Sequence, residues 1–160
     1  MTIKVGDKVP TVTLMHMTDK GPAPISTADI FGGKKVVLFA LPGAFTPTCS
    51  ARHLPGYLEH AADFKKKGVQ EIACLSVNDA FVMNAWGKDQ NAAGKVHMLA
   101  DGNGEFTKGV GLELDATKFG MGHRSQRYAM VVDDMVVKVL EVEQGGDFKV
   151  SAAEHILSVL

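Results

Sequence analysis

The residues best suited to chemistry lie in Pro42-Gly43-Ala44-Phe45-Thr46-Pro47-Thr48-Cys49-Ser50. Thr46-Pro47-Thr48 places a hydroxyl residue directly before a proline, the pattern of a helix start. Cys49 therefore falls in or beside a first helical turn, where unpaired backbone N–H groups and the helix dipole favour an anion. Such a place turns a cysteine into a thiolate, the reactive form of sulfur. A cysteine near a helix start is about as often a small buried apolar residue, and electropositive neighbours decide between the two. His53, four residues on, has the spacing of a Cys/His dyad or of a pair of metal ligands. No second thiol or carboxylate shares its turn, so a solvent-exposed His53 is expected. His16, His60, His97, His123 and His155 are scattered and form no ligand set, and no metal is expected. Two rivals to a redox enzyme remain. One is a Cys/His hydrolase or transferase with His53 or His123 as base, and the other is a redox sensor without turnover.

Cys49 must be held by the elements around it. Val36-Val37-Leu38-Phe39-Ala40-Leu41 is an apolar, β-branched run that reads as a buried strand, stopped by Pro42-Gly43. After Cys49, Leu54, Leu58, Ala61, Ala62 and Phe64 recur at helical spacing as far as Gly68, with a kink predicted at Pro55. Val69 to Val77 reads as a second buried strand. Asn78-Asp79 caps a helix to about Gln90, with Phe81, Val82, Ala85 and Trp86 on its inner face. Val96 to Ala100 is another strand, Asp101 to Gly111 holds a short helix, and Lys118 to His123 reads as a loop. Tyr128 to Val132 and Met135 to Val142 form a hairpin joined by Asp133-Asp134. Ser151 with Glu154 forms a capping box for a last helix. Before all of these come an opening loop, a short edge hairpin within residues 1–24, and a helical turn at Ser26 to Phe31 ended by Gly32-Gly33. Strands alternating with helices argue an α/β core with helices on both sheet faces.

The chain of 160 residues is long enough for one domain, residues 1–160, with a core that needs no disulfide support. A net charge of −1 with mixed signs gives no attraction to nucleic acid or to an anionic membrane surface. Lys65-Lys66-Lys67 reads as a solvated helix end. No stretch reaches signal-peptide or membrane-span character. Two cysteines make neither a disulfide framework nor metal clips, and a cytoplasmic setting with reduced thiols is expected.

Pro42, Thr46 and Cys49 reproduce the Pro-x-x-x-Thr/Ser-x-x-Cys signature of the peroxiredoxins. The fuller motif resembles the type II, or "five", subfamily of these thiol peroxidases. The resemblance continues through Glu71 to Met83, Leu99 to Gly102, Gly111 to Asp115 and Ser125 to Ala129. It implies a thioredoxin-like fold with a central mixed sheet. It also implies reduction of hydrogen peroxide and alkyl hydroperoxides through a sulfenic acid on Cys49, with no cofactor. Arg127 is then the guanidinium expected beside Cys49, and Arg124 is a competitor that sequence alone does not separate from it. Thr46 would hydrogen-bond the peroxide, and Pro42 would shield the thiol from water. Members with a resolving cysteine before the last helix have it where this chain reads Asp147-Phe148-Lys149-Val150-Ser151. Cys74, in an apolar strand, is the only other thiol and reads as structural. The sulfenic acid would then be cleared by glutathione with glutaredoxin, or by thioredoxin, the alternative being resolution by Cys74. A homodimer formed through loops beside the site is implied, with Phe45 and Phe119 near the substrate pocket.

Overall fold

The computed structural model describes all residues 1–160. β3 (Lys35–Ala40), the strand expected before the cysteine, is an interior strand of its sheet. β3 runs parallel to β4 (Glu71–Ser76), which runs parallel to β5 (His97–Ala100). On its other side β3 is antiparallel to β8 (Tyr128–Asp133). The hairpin of β1 (Thr13–Thr18) and β2 (Gly21–Ser26) joins through β5, and β9 (Val136–Val142) joins through β8. The seven-stranded order is β2-β1-β5-β4-β3-β8-β9. Pro22 and Pro24 are tolerated because β2 is an edge strand, where a missing N–H breaks no interior ladder.

The pleat divides the core in two, because alternate residues of a strand face opposite sides. Val37, Phe39, Ile72 and Cys74 pack with Tyr57 of α2 (Leu54–Glu59), Phe64 of α3 (Ala61–Lys66), Met83 and Trp86 of α4 (Ala80–Asp89) and Ile156 of α6 (Ala153–Val159). Val36, Leu38, Ala73 and Leu75 face α1 (Thr27–Phe31) and α5 (Glu105–Val110), where they meet Ile30, Phe31, Phe106 and Val110. Helices thus cover both faces, as the alternation of elements predicts.

Four local readings change. The helix after Cys49 is not one kinked rod: a wide π turn over Cys49–His53 leads into α2, and the chain breaks again at His60 before α3. Pro55 explains the first change, since it has no N–H for the carbonyl four residues back. Instead Leu54 N–H reaches back five residues to the Cys49 carbonyl. In α4 the Asp79 carboxylate caps Val82 N–H, and this start turns Ala80, Met83, Trp86 and Gly87 inward. Phe81, 65% exposed, and Ala85 are left outside the inner face expected of them. The β8–β9 hairpin turns on Asp134 and Met135, both at positive φ, one residue later than expected. Ser151 does not cap α6, whose N-cap is Ala152; its N–H and hydroxyl both donate to the buried Glu143 carboxylate. That carboxylate has a stronger claim, because a buried charge left without donors costs more than one uncapped backbone N–H.

Residues 113–125, read as loop beyond Lys118, also hold a two-stranded ribbon of β6 (Glu113–Asp115) and β7 (His123–Ser125). Its three-residue strands are too short for a period-two signal to stand out.

Candidate active site

Cys49 lies beyond the C-terminal end of β3, at the first residue of the π turn, and is 0% exposed. The segment leading to it is pinned from several directions. Asn78 Oδ1 accepts from Ala44 N–H at 3.0 Å and from the Ser76 hydroxyl at 2.7 Å. Arg124 donates from Nε to the Met121 carbonyl (2.9 Å) and from Nη1 to the Pro42 carbonyl (3.3 Å). Gly43 permits that approach, because a Cβ there would stand 3.0 Å from Arg124 Nη1 and 3.2 Å from Thr46 Cγ2. Phe45 takes φ of 62°, a left-handed conformation costly for a side chain of its size, and so reverses the chain ahead of Thr46. On the far side, Trp86 Nε1–H donates to Ser50 Oγ and Gln90 to the Ser50 carbonyl, tying α4 to the π turn.

Arg127 reaches the sulfur. Its Nη2 donates to Cys49 Sγ at 3.2 Å, across 78 residues of sequence. A guanidinium is permanently charged and presents several N–H donors in a rigid fork. Arg127 stands immediately before β8, and the antiparallel pairing of Ala40 with Tyr128 brings it to the end of β3 where Cys49 lies. The competing Arg124 binds the loop rather than the thiol. The Thr46 hydroxyl donates to the Gly43 carbonyl at 2.7 Å, so its oxygen lone pairs remain to accept from a ligand.

His53 is not on the surface. It is 0% exposed, and its ring lies within 6 Å of those of Phe39, Tyr57 and Phe148. Arg127 Nη1 lies 2.9 Å from His53 Nδ1, and His53 Nε2 lies 3.1 Å from the Ser151 carbonyl. Burial, with the Arg127 charge adding to it, lowers the His53 pKa from 6.5 to about 3. Its Nδ1 lone pair is committed to Arg127, so it cannot take a proton from Cys49, and the exposed His123 of β7 makes no hydrogen bond to Cys49. That removes the Cys/His hydrolase. The signal for a buried His53 was present in the spacing: Cys49, His53 and Tyr57 recur every four residues, on the side of the helix that faces the core. The partners that satisfy its ring, Arg127 and Ser151, are too distant in sequence to have been read.

The redoxin family pattern matches residues 4–157. Peroxiredoxin-2B of Arabidopsis thaliana is 49% identical over 159 residues, covering 99% of this chain and 98% of that protein. The chain belongs to the peroxiredoxins. A hybrid peroxiredoxin, hyPrx5, of Haemophilus influenzae is 45% identical over the whole of this chain and 67% of its own length. The crystal structure of reduced Prx3 from Vibrio vulnificus in complex with H₂O₂ superposes with a TM-score of 0.95 at 54% identity, covering 99% of both chains. The fold is thus the thioredoxin-like one, and this peroxiredoxin is a thiol-dependent peroxidase.

The other cysteine of this peroxiredoxin lies in the middle of β4, between Phe39 of β3 and Met98 of β5, and is wholly buried. Burial pushes the Cys74 thiol well above its ordinary range, and a charge on Cys49 would push it further. Cys74 is therefore held as a neutral core side chain, and both cysteines are free thiols. Phe45 and Phe119 are 53% and 71% exposed, with Phe45 tilted toward Trp86 at 6.4 Å. No group of three or more His, Cys, Asp or Glu side chains could hold a metal ion, and no helix is long and apolar enough to cross a membrane.

Proposed function

We propose that Cys49 is the nucleophile that attacks the peroxide, with Arg127, Thr46 and Pro42 completing the site, and that an external thiol closes the cycle. The single observation that carries this reading is the Arg127 Nη2–Cys49 Sγ bond of 3.2 Å at a fully buried sulfur. An anionic sulfur there is held by a charge-assisted bond in a water-poor site, where such bonds are strongest. The thiolate attacks one peroxide oxygen and the O–O bond breaks. The second oxygen leaves with the electron pair as hydroxide or alkoxide and takes up a proton as water or alcohol. Arg127 donates to that oxygen as its charge grows, the stage at which stabilisation lowers the barrier. Thr46 accepts from the incoming hydroperoxide O–H, and Pro42, without an N–H, offers water no donor at the mouth.

Sulfur is left as a sulfenic acid, which a reductant thiol attacks to give a mixed disulfide and water; a second thiol then releases Cys49. Glutathione with glutaredoxin, or thioredoxin, fits this step, because the remaining cysteine is sealed in the sheet. The cycle needs a reducing compartment, of which the cytoplasm is one. A second copy of the chain packed across the exposed Phe45, Phe81 and Phe119 would complete a homodimer. The test is peroxide loss by purified protein with the two reductant systems in parallel. Turnover with at least one of them, abolished in Cys49→Ser, is expected. Undiminished turnover in Cys49→Ser would refute the assignment.

A further inference from the structure

We propose that His53 is a positioning residue for Arg127, an uncharged brace that aims the guanidinium at Cys49 without cancelling its charge. The inference rests on the reading that Arg127 acts at Cys49, and it concerns how that arginine is held.

The two terminal nitrogens of Arg127 divide their work: Nη2 goes to Cys49 Sγ and Nη1 to His53 Nδ1. A guanidinium is planar, so fixing one terminal nitrogen fixes the direction of the other. The contacts also assign the imidazole protons. Arg127 can only donate, so Nδ1 must carry a lone pair. The Ser151 carbonyl can only accept, so Nε2 must carry the hydrogen. His53 is therefore a neutral Nε2–H tautomer with both ring nitrogens used, one as acceptor and one as donor.

The brace has a fixed far end. The Ser151 carbonyl also accepts the Tyr57 hydroxyl at 2.7 Å. Ser151 itself is gripped by Glu143, whose carboxylate takes its N–H at 2.8 Å and its hydroxyl at 2.6 Å, together with Lys149 N–H at 2.7 Å. A continuous line of contacts thus runs from Glu143 through Ser151, His53 and Arg127 to the sulfur.

A carboxylate is the usual partner for a buried arginine, and it would aim the fork equally well. It would also neutralise the guanidinium, weakening its hold on a thiolate and on the leaving oxygen. Here the ion pairs of the protein engage lysine and histidine cations only, and Arg127 is in none of them. The stacked ring of Phe39 with Tyr57, and the edge of Phe148, enclose the imidazole and exclude water from it. The result is an oriented cation whose full charge is directed at Cys49.

Three substitutions in the full chain separate this role from simple packing. Asn places an acceptor oxygen where Nδ1 lies and drops the donor to Ser151. Gln reaches Ser151 and drops the acceptor to Arg127. Asp keeps the acceptor but adds a negative charge. Thiolate formation at Cys49 is followed against pH by absorbance at 240 nm, and oxidation by hydrogen peroxide by stopped flow. His53→Asn, which keeps the acceptor to Arg127 but loses the far anchor, should slow oxidation less than His53→Gln. His53→Gln should slow oxidation by about 10–100-fold, the range for losing an orienting partner, and raise the pH of thiolate formation. His53→Asp should raise that pH further still. In an Arg127→Gln background, His53→Gln should add nothing, because the two act as one unit. Equal behaviour of the Asn and Gln variants, or additive losses in the double variant, would overturn the proposal. Nitrogen-15 spectra of the wild-type protein need no variant to fold: an Nδ1–H tautomer or an imidazolium at pH 7 would overturn it as well. The titration reads the hold of Arg127 on sulfur whether or not peroxide is turned over, so it separates failure of the brace from failure of the peroxidase reading.

Discussion

Burial of a neutral His53 makes acid stability a direct reading of this site. In the folded protein its pKa is lowered to about 3, and in the unfolded chain it returns to about 6.5. The unfolded chain therefore binds the proton more readily between those values. Stability from this group is fully present above about pH 6.5 and is lost as pH falls toward 3. Each pH unit inside the window costs about 1.4 kcal/mol, so acidification from neutral to pH 4.5 should cost about 3 kcal/mol from His53 alone. For a chain of this size that is a fall in Tm of about 5–10 °C. His16, lowered by its own burial, and Glu71 and Glu143, held below the usual carboxylate range by hydrogen-bond donors that outweigh their burial, add slopes of the same sign. The raised pKa of His60, bonded to Asp63, works the other way. The comparison that isolates His53 is thus the wild type against His53→Asn, melted by calorimetry at half-unit steps from pH 7.5 to 4.5. The variant has nothing to titrate at this position, so its curve should be shallower by about that 5–10 °C whatever its absolute Tm. Parallel curves would refute the reasoning, because they would mean that His53 exchanges protons as freely in the fold as in the unfolded chain.

Arg127→Gln should slow Cys49 oxidation by about 10²–10³-fold, comparable to losing one oxyanion donor, while Arg124→Gln, which frees only the Pro42 loop, should cost about tenfold or less; stopped-flow rates in the reverse order would show that the wrong arginine was assigned. Cys74→Ser should keep most thiol-supported turnover, and mass spectrometry after one equivalent of peroxide should show sulfenic acid or a reductant adduct on Cys49; a stoichiometric Cys49–Cys74 disulfide would contradict the buried position of Cys74 in β4. Sedimentation of the reduced protein at micromolar concentration should give a dimer that Phe81→Asp weakens, and a monomeric wild type would rule out the proposed association. Gly43→Ala should disturb Arg124 and Thr46 together and lower activity several-fold with little change in Tm, whereas a fully active variant would show that the close approach there carries no strain.

The parts of the fold visible in the sequence were those whose signal is local. β3 and β4 are continuous apolar runs, α4 starts at an aspartate cap, and the cysteine follows a strand and a proline. The faces of α4 were misjudged because apolar residues line more than one side of it; only the Asp79 cap, which sets where the helix starts, decides that Phe81 points outward. Ser151 and Glu154 have the spacing of a capping box, yet Ser151 is claimed by Glu143, eight residues earlier in sequence and across the turn from it. The site divides in the same way. Cys49, Thr46 and Pro42 lie in one contiguous motif, whereas Arg127 was placed by resemblance, not by spacing. The role of His53 depends on the Arg127 side chain and the Ser151 carbonyl, 74 and 98 residues away, and no window of local sequence contains them.

The π turn has a consequence for what changes in chain length the protein tolerates. Between Cys49 and Pro55 the chain carries one residue more than an α-helical turn would use, and that surplus lets both Cys49 and His53 meet Arg127 while Tyr57 still stacks on Phe39. Deleting any one residue from this stretch would restore an ordinary helical register. Because a π turn takes up its surplus residue locally, α2 would stay nearly in phase with Tyr57 on Phe39, and the loss would fall on Cys49 and His53, which could no longer both meet Arg127. Gly68, at the turn after α3, by contrast has open space where a Cβ would stand. Side-chain changes within Cys49–His53 can be graded one atom at a time, but the count of residues cannot: in this segment the length of the chain is itself a part of the active site.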